Sequence, residues 1–269
     1  MSDPAPTAGA VVIDPAELER LAVTFATAGA ALIRGHLGRP VGVSAKSSPT
    51  DVVTQTDLDA EALIRRLIVQ ETPGAGVFGE EGGESAPGSR LQWVIDPLDG
   101  TINFLYSVPL FSVSVAAAID GEVVAGAVVD VTRGEVFSAS IGGGARLDGA
   151  AIEVSTCREL AAALVTTGFS YRASVRAKQG QVVRRLLPEA RDIRCFGSAA
   201  LQLCWVGASR VDAYYERDIK VWDYAAGVLI ASEAGAVTEL PCPENAGLVI
   251  ATTPVIFEAL RAVVEHEVE

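Results

Sequence analysis

The chain has 269 residues, of which 49% are hydrophobic and 20% charged; it can bury a full core, and a disordered chain is excluded. The formal net charge is −13, with no basic face for nucleic acid, although bound cations can reverse the local field for an anionic substrate. Four cysteines without a CxxC pair and two histidines, His36 and His266, argue against a structural zinc, a disulfide framework, a phosphohistidine intermediate and a Ser-His-Asp triad.

Residues 1–12 carry no basic n-region and read as a loose tail. No stretch reaches the roughly 18 apolar residues of a membrane span, so a cytoplasmic protein without membrane association is expected. The first helix starts at Asp14-Pro15-Ala16-Glu17, with Asp14 as cap, Pro15 at the first position and Glu17 completing a capping-box pattern. Leu18, Leu21, Ala22, Phe25, Ala28 and Leu32 follow helical spacing, and Gly35 and Gly38 are expected to end it. Lys46 to Asp51 reads as a polar loop, and a second helix as running from about Thr56 to Gln70, stopped by Thr72-Pro73-Gly74. A short strand over Ala75–Phe78 leads into the tight turn Gly79-Glu80-Glu81-Gly82-Gly83. Leu91–Ile95 reads as a buried strand ending at Asp96, and Phe111–Ser140 as three strands separated by Asp120-Gly121 and Thr132-Arg133-Gly134. Gly142–Gly149 is a glycine-rich turn region.

The pattern then alternates. Strands are predicted over Ala163–Thr166, Arg191–Cys195 and Val211–Tyr215, and helices over Ser174–Leu187, Ser198–Gly207 and Trp222–Ala234, with a last helix from Thr253-Pro254. Residues 13–151 thus read as α+β and 152–269 as α/β, two halves of one unit packed with a site between them.

Four acidic segments carry the chemistry. The strongest is Trp93-Val94-Ile95-Asp96-Pro97-Leu98-Asp99-Gly100-Thr101-Ile102-Asn103-Phe104, where an apolar strand delivers Asp96 and a turn brings Asp99 toward the same point. The amides of Gly100 and Thr101 are then free to meet an anion. Glu80 lies in the acidic glycine turn, Asp57 opens the second helix after Thr54-Gln55-Thr56, and Asp223 sits in the first turn of an otherwise small and apolar helix. A solvated turn or a helix cap is the plain alternative for each of these last three. Glu80, Asp96, Asp99 and Asp223 in one pocket repel, at on the order of 1 to 4 kcal/mol per pair at ~4 Å. Divalent cations remove that repulsion, and oxygen-only ligands favour magnesium.

The string Asp96-Pro97-Leu98-Asp99-Gly100-Thr101-Ile102-Asn103-Phe104, with Gly79-Glu80-Glu81 upstream and Trp222-Asp223-Tyr224-Ala225-Ala226-Gly227 downstream, resembles the inositol monophosphatase family from about Lys46 to Gly235. The resemblance implies a layered αβαβα fold, a homodimer, magnesium activation and lithium inhibition. It implies two to three Mg2+ ions: Glu80, Asp96 and the Leu98 carbonyl at the first, Asp96, Asp99 and Asp223 at the second, and Glu80 with waters at a third. Gly100 and Thr101 would hold phosphate. Gly197-Ser198-Ala199 matches the loop that contacts the polyol ring, and Glu216, after Asp212-Ala213-Tyr214-Tyr215, the residue that binds its hydroxyls. Ser198 departs mildly from a position where Thr is also seen. Asp57 and Thr101 would form a hydrogen-bonded pair that orients a metal-activated water for direct attack on a small phosphorylated polyol, myo-inositol monophosphate.

An aspartyl-phosphate phosphatase of the haloacid dehalogenase type is the nearest rival, but its two aspartates stand two apart in DxDGT, whereas Asp96 and Asp99 are three apart. Histidinol-phosphate phosphatase, fructose-1,6-bisphosphatase and nucleotide 3′-phosphatase are alternatives within the same superfamily. A catalytically idle binding protein is a further one, against which every ligand position is intact.

Overall fold

Asp14 starts α1 (Pro15–His36) by accepting a hydrogen bond from the Ala16 amide at 3.0 Å, while Glu17 pairs with Arg20. The computed structural model describes residues 14–38, 42–48, 51–243, 245 and 247–265; the expected tail and His266 lie outside them. Gly35 stays inside α1, and the chain turns only after His36, at Gly38 with φ 73°. The buried stripe of α1 includes Leu18, Ala22 and Phe25 as predicted, then runs through Ala26, Gly29, Ala30 and Ile33.

Positions 49–50 of the expected polar loop lie outside the described residues, and 46–48 and 51 belong instead to an antiparallel strand pair, β1 (Val43–Ser48) and β2 (Asp51–Thr54), with Val43 opposite Thr54 and Ala45 opposite Val52. Its polar composition hides it, because a strand outside the core needs no apolar alternation. Thr54 then caps α2 (Gln55–Glu71) in a capping box with Asp57.

An eight-stranded sheet follows. It comprises β3 (Gly76–Gly79), β4 (Gly83–Ser85), β5 (Leu91–Asp99), β6 (Ser112–Ile119), β7 (Glu122–Asp130), β8 (Val136–Ser140), β9 (Gly144–Leu147) and β10 (Ala150–Ala151), in the spatial order β10-β9-β8-β7-β6-β5-β3-β4. Only β3 and β5 run parallel. The short α3 (Thr101–Leu105) leaves the end of β5. Side chains alternate across the central strands. Val113, Val115 and Ala117 of β6 pack with Phe25, Ala26 and Ile64 of α1 and α2, while Ala116 joins the core on the other face. Trp93 on β5 meets Phe25 edge-on, ring centroids 5.0 Å apart, and its indole N–H donates to Thr72 Oγ1 at 3.0 Å.

The second sheet holds β11 (Leu164–Thr167), β12 (Asp192–Cys195), β13 (Ala213–Arg217), β14 (Val237–Glu239) and β15 (Leu248–Thr252), in the order β12-β11-β13-β15-β14. Its helices are α4 (Ala173–Leu186), α5 (Ala199–Gly207), α6 (Val221–Glu233) and α7 (Phe257–Val264), the last preceded by a 3₁₀ turn over Pro254–Ile256. β11, β12 and β13 are parallel, but β15 pairs antiparallel with both β13 and β14, so this half is mixed rather than purely α/β. Leu248–Thr252 is a short apolar run whose pairing direction no periodicity reveals.

The layers are α1 and α2, the large sheet, α5 and α6, the small sheet, then α4 and α7, an αβαβα stack. No helix among the described residues is long and apolar enough to cross a membrane.

Candidate active site

The strand expected to end at Asp96 continues to Asp99 through a bulge. Asp96 lies opposite Ser114 and Asp99 opposite Ser112, so three steps on β5 match two on β6. On a regular strand, residues three apart point to opposite faces. The extra residue cancels that alternation and turns both aspartates to the α5–α6 side. Pro97 fits because the bulge asks no ladder hydrogen bond of it.

Asp96 is 1% exposed and accepts from the Leu98 amide at 3.0 Å. Burial, then the charges of Glu80, Asp99 and Asp223, push its carboxyl well above the usual range. Asp99 reaches into the second half of the chain. Its Oδ1 accepts from the Ala199 amide at 3.2 Å; its Oδ2 accepts from Ser198 Oγ at 2.5 Å, the Ala200 amide at 2.9 Å and Ser112 Oγ at 3.3 Å. Burial lifts its pKa to about 6, with those donors opposing the rise. Asp223, on the first turn of α6, accepts from the Lys220 amide at 2.6 Å, so it caps its helix as well as facing the cavity. Burial raises its carboxyl well above normal, and Asp99, Glu80 and Glu216 add to the rise. Phe78 stacks edge-on against Trp222 at 5.2 Å, which draws the β3 end carrying Glu80 toward the α6 start carrying Asp223.

Asp57 is fully buried and does two things. Its Oδ2 accepts from the amide and hydroxyl of Thr54, completing the cap, while its Oδ1 accepts from Thr101 Oγ1 at 3.0 Å. Thr101 Oγ1 lies equally close, 3.0 Å, to the Leu98 carbonyl. One hydroxyl proton faces two acceptors and is given to one of them at a time. Burial raises the Asp57 carboxyl, the Thr54 and Thr101 hydrogen bonds oppose this, and Glu80 adds to the rise.

A cavity of about 690 Å³ gathers Glu80, Asp96, Leu98, Asp99, Gly100, Thr101, Gly197, Ser198, Ala199, Glu216 and Asp223. Asp57 alone of the predicted set stands behind the wall, touching it through Thr101. Glu216 is buried and accepts from Tyr214 Oη at 2.9 Å. Burial drives its pKa to about 8, Tyr214 opposes this, and Asp99 and Asp218 add to the rise. Burial thus works against the charged form of the residue expected to bind the polyol hydroxyls.

Asn103 lies inside the quoted motif, where the sequence gives it no role. Its Nδ2 donates to the carbonyls of Leu110 at 2.7 Å and Phe196 at 2.6 Å, tying the α3 turn to the loop before α5. Gly197 is required beside it: φ is 79°, and a Cβ there would fall 2.8 Å from Asn103 Nδ2. Ser112 and Tyr214, which bond Asp99 and Glu216, have no signal in the sequence beyond standing at strand positions.

Among the described residues, no three His, Cys, Asp or Glu side chains already stand at metal-ligating separations. The donor set nevertheless suits a hard divalent cation. It offers carboxylate and carbonyl oxygens alone, and Glu80, Asp99 and Asp223 each raise the cost of ionising Asp96, a cost that a divalent cation among them would offset.

Residues 14–268 match the family model of the inositol monophosphatase family. An inositol-1-monophosphatase of Mycobacterium bovis is 44% identical over 275 residues, covering 94% of this chain and 95% of the relative. A Nus factor SuhB of Escherichia coli K12 is 37% identical over 254 residues, covering 92% of this chain and 95% of that protein. The structure of Mycobacterium tuberculosis SuhB superposes with a TM-score of 0.81 at 41% identity, covering 94% and 97% of the two chains. An IMPase of Thermotoga maritima superposes with a TM-score of 0.84 at 31% identity, covering 92% and 96%.

Proposed function

We propose, from the premise that the chain belongs to the inositol monophosphatase family, that it is a magnesium-dependent phosphomonoesterase hydrolysing myo-inositol monophosphate. The observation that carries this is the convergence of Asp96, Asp99, Asp223 and Glu80 on one cavity, each of the other three raising the cost of ionising Asp96. Relatives at 37% identity carry the name Nus factor; for this chain the buried carboxylates favour hydrolysis.

Glu80, Asp96, Asp99, Asp223 and the Leu98 carbonyl would hold the magnesium. Such ions would supply a lowered pKa for a bound water and charge to offset the phosphate oxygens. The chain's own residues do the rest. Gly100, at φ 96°, opens α3 toward the cavity, and its amide with that of Thr101 binds phosphate oxygens. Thr101 Oγ1, donating to Asp57, turns a lone pair toward the attacking water and fixes its line of approach. The carboxyl of Asp57, lifted above its usual range, is the better proton acceptor for being buried. Water oxygen bonds to phosphorus, the ester bond to the polyol breaks, and the leaving oxygen takes a proton from solvent. Gly197, Ser198, Ala199 and Glu216 face the polyol. The same reading has the enzyme acting as a cytoplasmic homodimer, inhibited by lithium.

Phosphate release with magnesium tests this across inositol, histidinol and 3′-nucleotide monophosphates and fructose bisphosphate. The expected result is the highest kcat/KM for the inositol ester. Preference for histidinol phosphate would replace the substrate while leaving the reaction class standing.

A further inference from the structure

One turn beyond Asp57 on α2 lies Glu61, 4% exposed, which no step above uses. Its carboxylate crosses to the turn between β3 and β4. Oε2 accepts from the Glu81 amide at 2.8 Å, and Oε1 accepts from the Gly82 amide at 2.7 Å. Arg65, one turn further along α2, donates from Nε to Oε1 at 2.7 Å, and its Nη2 reaches the Gly83 carbonyl at 2.5 Å. The turn is therefore gripped at three successive residues by one ion pair. Charge-assisted bonds of this kind are roughly twice as strong as neutral ones. The grip also accounts for the glycines around Glu80, since a Cβ on Gly79 or Gly82 would stand 2.7 or 2.6 Å from Glu61 Oε1.

Glu80 is the residue just before the gripped amides, and its own amide donates to the Ile95 carbonyl at 3.3 Å. Its backbone is held on both sides, and its side chain lines the cavity. We propose that Glu61, braced by Arg65, is a positioning residue that presets the Glu80 carboxylate for magnesium. The inference rests on the metal reading above. Glu61 touches neither substrate nor metal; it removes the disorder that an acidic, glycine-rich turn would otherwise have to lose when a cation binds.

The test is calorimetric titration with magnesium alone, without substrate, alongside thermal melting. Wild type is compared with Glu61→Gln, Gly82→Ala and Glu19→Gln. Gly82→Ala pushes the grip away without altering its charge. Glu19 is a comparably buried carboxylate on α1, bonded to Ser138 Oγ at 2.8 Å and Ser140 Oγ at 2.7 Å, and serves as the control. Glu61→Gln and Gly82→Ala should each weaken magnesium binding by ~10-fold or more, the scale for outer residues that orient a ligand. Under turnover their half-saturating magnesium should rise in step while kcat at saturating metal stays near normal. Glu19→Gln should lower the melting temperature and leave magnesium affinity unchanged. Wild-type affinity in folded Glu61→Gln or Gly82→Ala, or an equal loss in Glu19→Gln, overturns the proposal; should Glu61→Gln not fold, Gly82→Ala decides. Wild-type protein that binds no magnesium would overturn the metal reading and this inference with it.

Discussion

Thr101 Oγ1 and Asp57 Oδ1 meet at 3.0 Å across 44 positions of chain, joining the start of α3 to the first turn of α2. The same Asp57 caps α2 through Thr54, so catalytic and structural contributions share one carboxylate and must be separated by mutation. Thr101→Ala should cut kcat by ~100-fold or more, the scale of a positioned proton-transfer group, with little change in melting temperature. Asp57→Asn should lose both activity and stability, because its amide would face the Thr54 amide. Thr54→Ala removes only cap contacts and should cost about 1 kcal/mol of stability with kcat near normal. Near-normal kcat in both Thr101→Ala and Asp57→Asn would leave the pair a purely structural device.

Magnesium affinity should depend on pH. Asp96 and Asp223 are pushed well above the usual carboxylate range and Asp99 to about 6. Protons therefore compete with metal at lower pH, and binding releases them. Half-saturating magnesium should fall as pH rises through about 6, above where ordinary carboxylates have finished titrating, and go on falling beyond it. Activation curves that superpose across that rise in pH would mean the carboxyls are already ionised without metal.

Glu216 makes a second pH prediction, this one about stability without metal. Its folded pKa of about 8 lies above the ordinary 4.5. A carboxyl whose pKa rises on folding favours the folded state most below its unfolded pKa, and that advantage is lost as pH climbs through the folded value. Wild type should lose stability relative to Glu216→Gln between about pH 4.5 and about pH 8, at a rate of at most about 1.4 kcal/mol for each step of one in pH. Melting both proteins over this range checks the sign; a gap that does not change with pH contradicts it. With substrate, Glu216→Gln should raise KM for inositol monophosphate more than for a small aryl phosphate.

Much of this site is legible in the sequence because its carboxylates stand where strands and helices begin or end. Asp96 follows an apolar run, Glu80 sits in a glycine turn and Asp223 opens an apolar helix, so each is visible without knowing its neighbours. What the residues alone do not convey is convergence. The bulge between Asp96 and Asp99 depends on the register against β6, and the bonds from Asp99 to the start of α5 join residues about a hundred positions apart. The family resemblance supplies the Thr101–Asp57 pair, but the shared hydroxyl proton and the grip of Glu61 on residues 81 and 82 emerge only in three dimensions. The fold shows the same division. The long helices and strands β5 to β8 follow their pattern, whereas β1 and β2 are too polar to declare themselves, β9 lies within the glycine-rich region expected to be a turn, and β15 is an apolar run that periodicity alone does not assign.

Asn103 offers a test of how the two halves of the site are coupled. Removing its side chain leaves the Leu110 and Phe196 carbonyls without their 2.7 and 2.6 Å donor. Asn103→Ala should destabilise the protein by ~1 to 3 kcal/mol, the cost of orphaned partly buried acceptors. KM for the polyol ester should rise as the Gly197 loop loosens. An unchanged melting temperature would show that water replaces the amide without loss.

Magnesium acting through Asp96 is measured most directly by phosphate release from inositol monophosphate. In excess chelator the wild-type rate should vanish and return when magnesium is restored, while Asp96→Asn, folded by thermal melting, should stay inactive in both conditions. Full wild-type activity in chelator, or near-normal turnover by Asp96→Asn, would contradict it.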